Sequence, residues 1–488
     1  MKKRSVMSKN KEKIGFLSVI ITIVGSSIGA GIFFKNKSIL ENTHGSIGLA
    51  ISCWIVAAIG ILAIGLALME ITSTQDRDKG ILGWMEKFTP NWMFKWSKGY
   101  MLILYFPLTF ATLPVYGILS LEDATGWTAN WWQMLLVATS FMIWFGAVSF
   151  FSLKFGSSLQ WIFTLVKFIP ILFIPLFGFL NLDSNNVSVT SVTTGLTGIS
   201  PYLGVIAAIP AIFFAYDGFY TVTSLKSKMK KPKLMPLAIA IGIGAITSMY
   251  LLITAGVLIG SEDGAKNVYS NKAFKMVMDT FIFVAILGVI NGFSLGTYNI
   301  YDEYIETDDF AFSSFFKKIK TKEKRIGKIT LRGTTPGFNI LMIFSFIFII
   351  IIFFVGAFVW PTQNKVEGIS ELTDLLTNWT SLLVFLMISF AIMGALVNRK
   401  TNKIKVKKSK IFIPSAIISI ILTTIPGIYM IVASIVDMTG FNKAGIGKAT
   451  TTFIVLIATI IISCIPLIIE KVNKKIKNNK LKTQKKLN

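Results

Sequence analysis

The sequence predicts an all-α integral membrane protein of twelve transmembrane helices, with the first and sixth interrupted near their middles. Three observations lead there. The 488 residues are 53% hydrophobic with a mean hydropathy of +0.66, too apolar for a soluble chain of this length. The apolar residues come in runs of about twenty, the length that crosses a bilayer. These runs lie at about 14–34, 47–69, 97–120, 131–151, 157–180, 202–225, 236–260, 276–300, 338–360, 376–397, 411–437 and 450–470. Finally, the basic residues alternate between the two sides. With those spans, 40 of the 49 Lys and Arg fall on one side and 8 on the other, and Lys167 lies inside a span. The positive-inside rule then places both termini in the cytoplasm.

This alternation also accounts for the net charge of +25. The basic runs Lys226–Lys233, Lys317–Arg332, Arg399–Lys410 and Lys471–Lys486 read as topology determinants and contacts to anionic lipids, with no nucleic-acid partner. Cys53 and Cys464 both fall in spans, which argues against a disulfide framework. A single histidine, His44 in the first outer loop, leaves no metal cluster to propose, and no motif calls for a cofactor. Met1–Lys13 and the apolar run after it look superficially like a signal peptide. The run is too long and no small-residue cleavage site follows, so it is read as the first span. The chain thus divides into a basic tail at 1–13, a twelve-helix domain at 14–470 and a second basic tail at 471–488. Asn181–Ser200 carries no basic residue and is expected to be an outer loop.

In span one, Gly25-Ser26-Ser27-Ile28-Gly29-Ala30-Gly31 packs three glycines and two serines into seven residues. Each glycine inside a helix costs roughly 1 kcal/mol relative to alanine. Two readings are open. The helix is broken so that its free backbone groups hold a polar ligand, or the glycines form a face for close helix packing. Span two ends at Glu70, which is expected to partner basic loops. The tryptophans at 92, 96, 127, 131, 132, 360 and 379 read as interfacial anchors. In span five, Lys167 is either a proton carrier or a structural lysine donating to the carbonyls of a broken span one. Span six carries Pro210, Asp217 and Gly218 at its centre and reads as the second broken helix. Asp217 either satisfies backbone N–H groups at that break or contacts a cationic substrate. Two irregular helices five spans apart point to an inverted repeat, 14–180 and 202–397, with helices at 411–470 appended.

At these residues the chain resembles the amino acid–polyamine–organocation superfamily of permeases. The signature runs from Gly25 to Phe33 in span one and from Phe214 to Phe219 in span six. Supporting matches are Ala67–Glu70, Gln160 through Lys167 to Pro170, Pro232 and Pro236, Asn291-Gly292, and Gly333–Pro336. The resemblance implies a LeuT-type five-plus-five inverted repeat that carries amino acids by alternating access. It implies a carboxylate cradle at Ser26, Ser27, Gly29, Ala30 and Gly31, and an ammonium site at Phe213, Phe214 and Ala215. Phe214 would close over the substrate. Helix N-terminal N–H groups do favour an anion, and C-terminal carbonyls a cation. Lys167 would stand where sodium-coupled relatives bind their ion, making the proton the expected coupling ion.

Two departures from the pattern involve three positions. Ser227 and Lys228 replace an acidic pair after span six, and Asn299 replaces a late arginine in span eight. The expected function is secondary active amino acid transport, proton-coupled, in a bacterial plasma membrane. The alternatives are exchange of one amino acid for another or for an amine, and a receptor or scaffold that kept the fold. No span carries the nucleophile–base or paired-acid sets of an enzyme.

Overall fold

Backbone groups in hydrocarbon have no water to bond, so each apolar run must pair its own N–H and C=O groups, and it does so as a helix. The computed structural model describes residues 13–74, 79–180, 200–260, 272–307, 335–362, 364–438, 450–465 and 467–468, with 310, 313, 317–318, 324–326 and 329–331 between them. Among the described residues, eleven helices are long and apolar enough to cross a membrane, and they fall on the first eleven expected spans. Where a twelfth is expected, the helix Thr450–Ile465 is apolar but shorter. The tails, the expected outer loop at 181–199 and most of the basic stretch between 308 and 334 lie outside the described residues. Within that stretch, Lys324–Ile326 pairs antiparallel with Ile329–Leu331, a small hairpin that hydropathy does not reveal.

Polar residues mark where several helices start. Ser46 accepts a hydrogen bond from the Leu49 N–H at the head of span two. Thr335 accepts from the Phe338 N–H ahead of span nine, with Pro336 in the first turn. Asn130 and Gln133 form a reciprocal capping box at span four. Span three is longer than its hydropathy suggests, running Asn91–Thr125, and Tyr100–Tyr105 within it form a π-helical turn. Pro107, which has no N–H to donate, follows that turn closely.

Spans three and six form the centre of the bundle. Their most apolar windows are 89% and 83% buried, against 28% for spans four and eleven. The outer spans instead expose rows of large apolar side chains, such as Ile343, Phe346, Ile350 and Phe354 on span nine, the surface lipid tails would cover. Two expected tryptophan anchors are corrected here. Trp379 is wholly buried within span ten, and Trp360 is 5% exposed with its indole N–H donating to Glu371. Both stabilise the bundle from within.

The two central irregularities are real breaks. Span one is helical over Phe16–Ser27 and again over Ala30–Asn42, with Ile28 in an extended conformation between them. Span six is helical over Ser200–Tyr216 and continues as a 3-10 helix over Phe219–Lys228. Gly218, with φ of +96°, makes the turn between them, a conformation that side chains with a Cβ rarely adopt. The second half of span one outlasts its apolar run, which places Lys35 inside a helix and not in the outer loop.

Candidate substrate site between two broken helices

The glycines of span one serve both readings that the sequence left open. A Cβ on Gly25 would overlap the Gln160 amide and approach the Thr164 hydroxyl, and one on Gly31 would overlap the Ala215 backbone. A Cβ on Gly29 would run into Val289 of span eight. The helix is therefore broken at Ile28–Gly29 and, around the break, packed more closely than any side chain allows.

The break releases carbonyls that other spans take up. The Lys167 ammonium, 1% exposed, donates to Gly25 O at 2.5 Å and to Ile28 O at 2.6 Å. Its stem packs against Gly288 of span eight. Among the described residues no acidic side chain pairs with it. The Tyr250 hydroxyl of span seven lies 3.0 Å from Ser27 O and 2.5 Å from Ala215 O, so one proton is shared between the two broken helices. Tyr250 packs edge-on against Trp54 and Tyr216, their ring centroids 5.6 and 4.9 Å away. Sequence reasoning missed Tyr250, whose signal was the single aromatic side chain in span seven.

Beyond the break, Gly29, Ala30 and Gly31 open the second half of span one. The leading N–H groups of a helix have no intrahelical acceptor and favour an anion. Opposite them stand the last carbonyls of the first half of span six. Phe214 O accepts from the Asp217 N–H at 3.2 Å and Ala215 O from Tyr250, and each carbonyl keeps a second lone pair. Ser26 donates to Ile23 O, while the buried Ser27 hydroxyl has no hydrogen-bond partner among the described residues. The structure thus brings Ser26, Ser27, Gly29, Ala30 and Gly31 together with Phe213, Phe214 and Ala215. Lys167 is behind the break of span one, and Asp217 is within that of span six.

Asp217 is almost fully engaged by the protein. Its Oδ1 accepts from the Gly218 N–H at 2.8 Å and from Tyr220 at 2.7 Å, and its Oδ2 accepts from Ser381 of span ten at 2.7 Å. Tyr220 is also bonded to Tyr105, which the π-helical turn of span three presents.

Above Phe214, on the side away from the basic loops, lies a cluster with no clear sequence signal. Lys35 is fully buried, 2.7 Å from Asp374 of span ten and 3.2 Å from the Tyr116 hydroxyl of span three. Its ammonium sits 5.0 Å from the centre of the Phe214 ring. On the basic side, Glu70 is also buried and is held by Arg399 through two contacts, at 2.8 and 2.6 Å, and by the Ser409 N–H at 2.8 Å. Ile14 N–H donates to Lys228 O and Ile14 O accepts from the Lys230 N–H, tying the start of the chain to the segment after span six. The side chains of Ser227 and Asn299 lie outside the described ones.

Paired broken helices around a central polar site are the architecture of a membrane transporter. The crystal structure of MhsT in complex with L-phenylalanine has the same fold, with a TM-score of 0.56 over 87% of this chain and the whole of that one at 13% identity. The family model described as amino acid permease matches residues 14–464, and the chain belongs to that family. An uncharacterized protein of Mycoplasma pneumoniae is 30% identical over 88% of this chain and 86% of its own length. The serine/threonine exchanger SteT of Bacillus subtilis is 26% identical over 58% of this chain and 65% of its own. The b(0,+)-type amino acid transporter 1 of the mouse is 30% identical over half of each chain. The protein is a multi-pass secondary transporter and not an enzyme.

Proposed function

We propose that this protein carries an amino acid across the plasma membrane by alternating access, with both termini cytoplasmic and proton movement through Lys167. The substrate carboxylate would meet the N–H groups of Gly29, Ala30 and Gly31, beside Ser26 and Ser27. Its ammonium would meet the carbonyls of Phe213, Phe214 and Ala215. The observation that carries this reading is the convergence of orphan N–H donors and carbonyl acceptors across the close contact of Gly31 with Ala215. A zwitterion needs both within a short distance, and few other solutes do.

Lys167 supports the coupling. Its ammonium holds the carbonyls of Gly25, in the last turn of the first half of span one, and of Ile28, at the break itself, so losing its charge weakens both contacts and loosens that first half. The proton is preferred to sodium because the Lys167 ammonium already takes the span-one carbonyls that a bound cation would need, with its stem beside Gly288 of span eight. Phe214, capped by Lys35 and Tyr116, would close the outer side. Asp217 reads as the pin of span six, with contact to a cationic substrate as its alternative role. The five-plus-five repeat, the twelfth span, the division into tails and domain, anionic-lipid contacts at the basic loops and a bacterial source belong to the same reading. Two bacterial relatives support the last.

Exchange is the second reading, favoured by the likeness to an exchanger. Uptake of labelled amino acids into proteoliposomes, with and without an inward proton gradient, separates the two. Concentrative uptake that needs the gradient is expected. Uptake only into vesicles preloaded with amino acid, indifferent to pH, would establish exchange.

A further inference from the structure

The walls of the site restrict where a substrate side chain can go. This inference rests on the zwitterion lying between the two breaks. Toward span seven, Tyr250 bridges Ser27 and Ala215, backed by Trp54 and Tyr216. Toward span five, Gln160 and Thr164 press on Gly25. On the outer side Phe214 is covered by Lys35 and lies 5.5 Å, centroid to centroid, from Tyr116. Toward span ten, Phe385 stacks on Phe213 with ring centroids 4.6 Å apart. What remains is the direction of spans three and eight, and there Phe293 stands in the way.

Phe293 is 2% exposed. A Cβ built on Gly218 would lie 2.6 Å from the edge of its ring and 2.9 Å from Ser26 O, so the ring reaches both breaks at once. Tyr105 and Phe110 of span three hold it from behind, their ring centroids 6.3 and 6.4 Å away. The neighbouring Gly292 brings span eight close to Ser26, where an added Cβ would lie 3.1 Å from its Cα. A close-packed ring wedged in this way does not yield without displacing its neighbours.

We propose that Phe293 sets the size limit of the site and restricts the substrate to amino acids with small side chains: glycine, alanine, serine, threonine and cysteine. Larger side chains would have to displace its ring from Gly218. An apolar pocket discriminates by about tenfold or more for each methylene it cannot hold.

The test is competition against labelled alanine uptake in proteoliposomes, using unmodified protein, Phe293→Ala and Phe293→Leu. In the unmodified protein, serine and threonine should compete well, and leucine and phenylalanine at least about tenfold more weakly. Phe293→Ala should still carry alanine, and leucine should gain about tenfold on it. Phe293→Leu, closer to the native volume, should gain less and decides the matter where the alanine variant carries nothing. Equal competition by leucine and alanine in the unmodified protein would overturn the size limit and leave the transport reading standing. So would variants that carry alanine with the native ranking intact. No uptake of any amino acid by the unmodified protein would overturn the transport reading and this one with it.

Discussion

The two broken helices are held in different ways. Span six carries its own pin, since Asp217 accepts from Gly218 and Tyr220, and its outside partners are Ser381, which donates to Asp217, and Tyr250, which donates to Ala215 O. Span one contributes little to its own break. Its released carbonyls are taken by Lys167 from span five and Tyr250 from span seven, partners more than a hundred positions away. A self-capped break is a fixed hinge. A break held by other helices changes when they move or change charge. Span one is therefore the half of the site open to coupling, and span six the half that keeps its shape.

Lys167→Ala should break this contrast most severely. It leaves two buried carbonyls without a donor, each costing about 1–3 kcal/mol. Gradient-driven uptake in proteoliposomes should fall about a hundredfold. Residual exchange that still responded to the proton gradient would remove Lys167 from the coupling. Gly218→Ala is expected to act on stability, since a non-glycine residue with positive φ costs about 1–2 kcal/mol and the added Cβ meets Phe293. The apparent melting temperature in detergent should fall by several degrees while the response to pH stays native. Asp217→Asn keeps an acceptor for Gly218 and should cost about 1 kcal/mol in the same assay. A selective loss of cationic amino acid uptake in that variant would instead assign the carboxylate to the substrate. The smallest change is expected from Tyr250→Phe, which removes one shared proton, worth about 1 kcal/mol. Its uptake should fall only a few-fold, because the aromatic packing survives.

The same contrast explains what could be read from the sequence. Both breaks were legible because their cost is local: three glycines near Gly29, and Pro210, Asp217 and Gly218 in span six, sit where a helix should be smooth. Lys167 was legible as a charge in an apolar run. The expected topology rests on the distribution of Lys and Arg, which survives small errors in span ends. Lys35 was hidden because it follows the end of the apolar run, and its burial depends on Asp374, which lies 339 positions away. Tyr250 and Phe293 look like ordinary span residues until the fold places them against the breaks. Trp379 misled because tryptophan suits both a membrane interface and a bundle core.

The most direct test of the account is hydrogen exchange, read by mass spectrometry, over residues 24–31 and 213–219 in protein with and without a transported amino acid. Substrate should slow exchange at Gly29, Ala30 and Gly31, and Lys167→Ala should speed exchange through 24–31 while leaving 213–219 near native. Exchange in 24–31 that is indifferent to both substrate and Lys167 would contradict a site built on the break of span one.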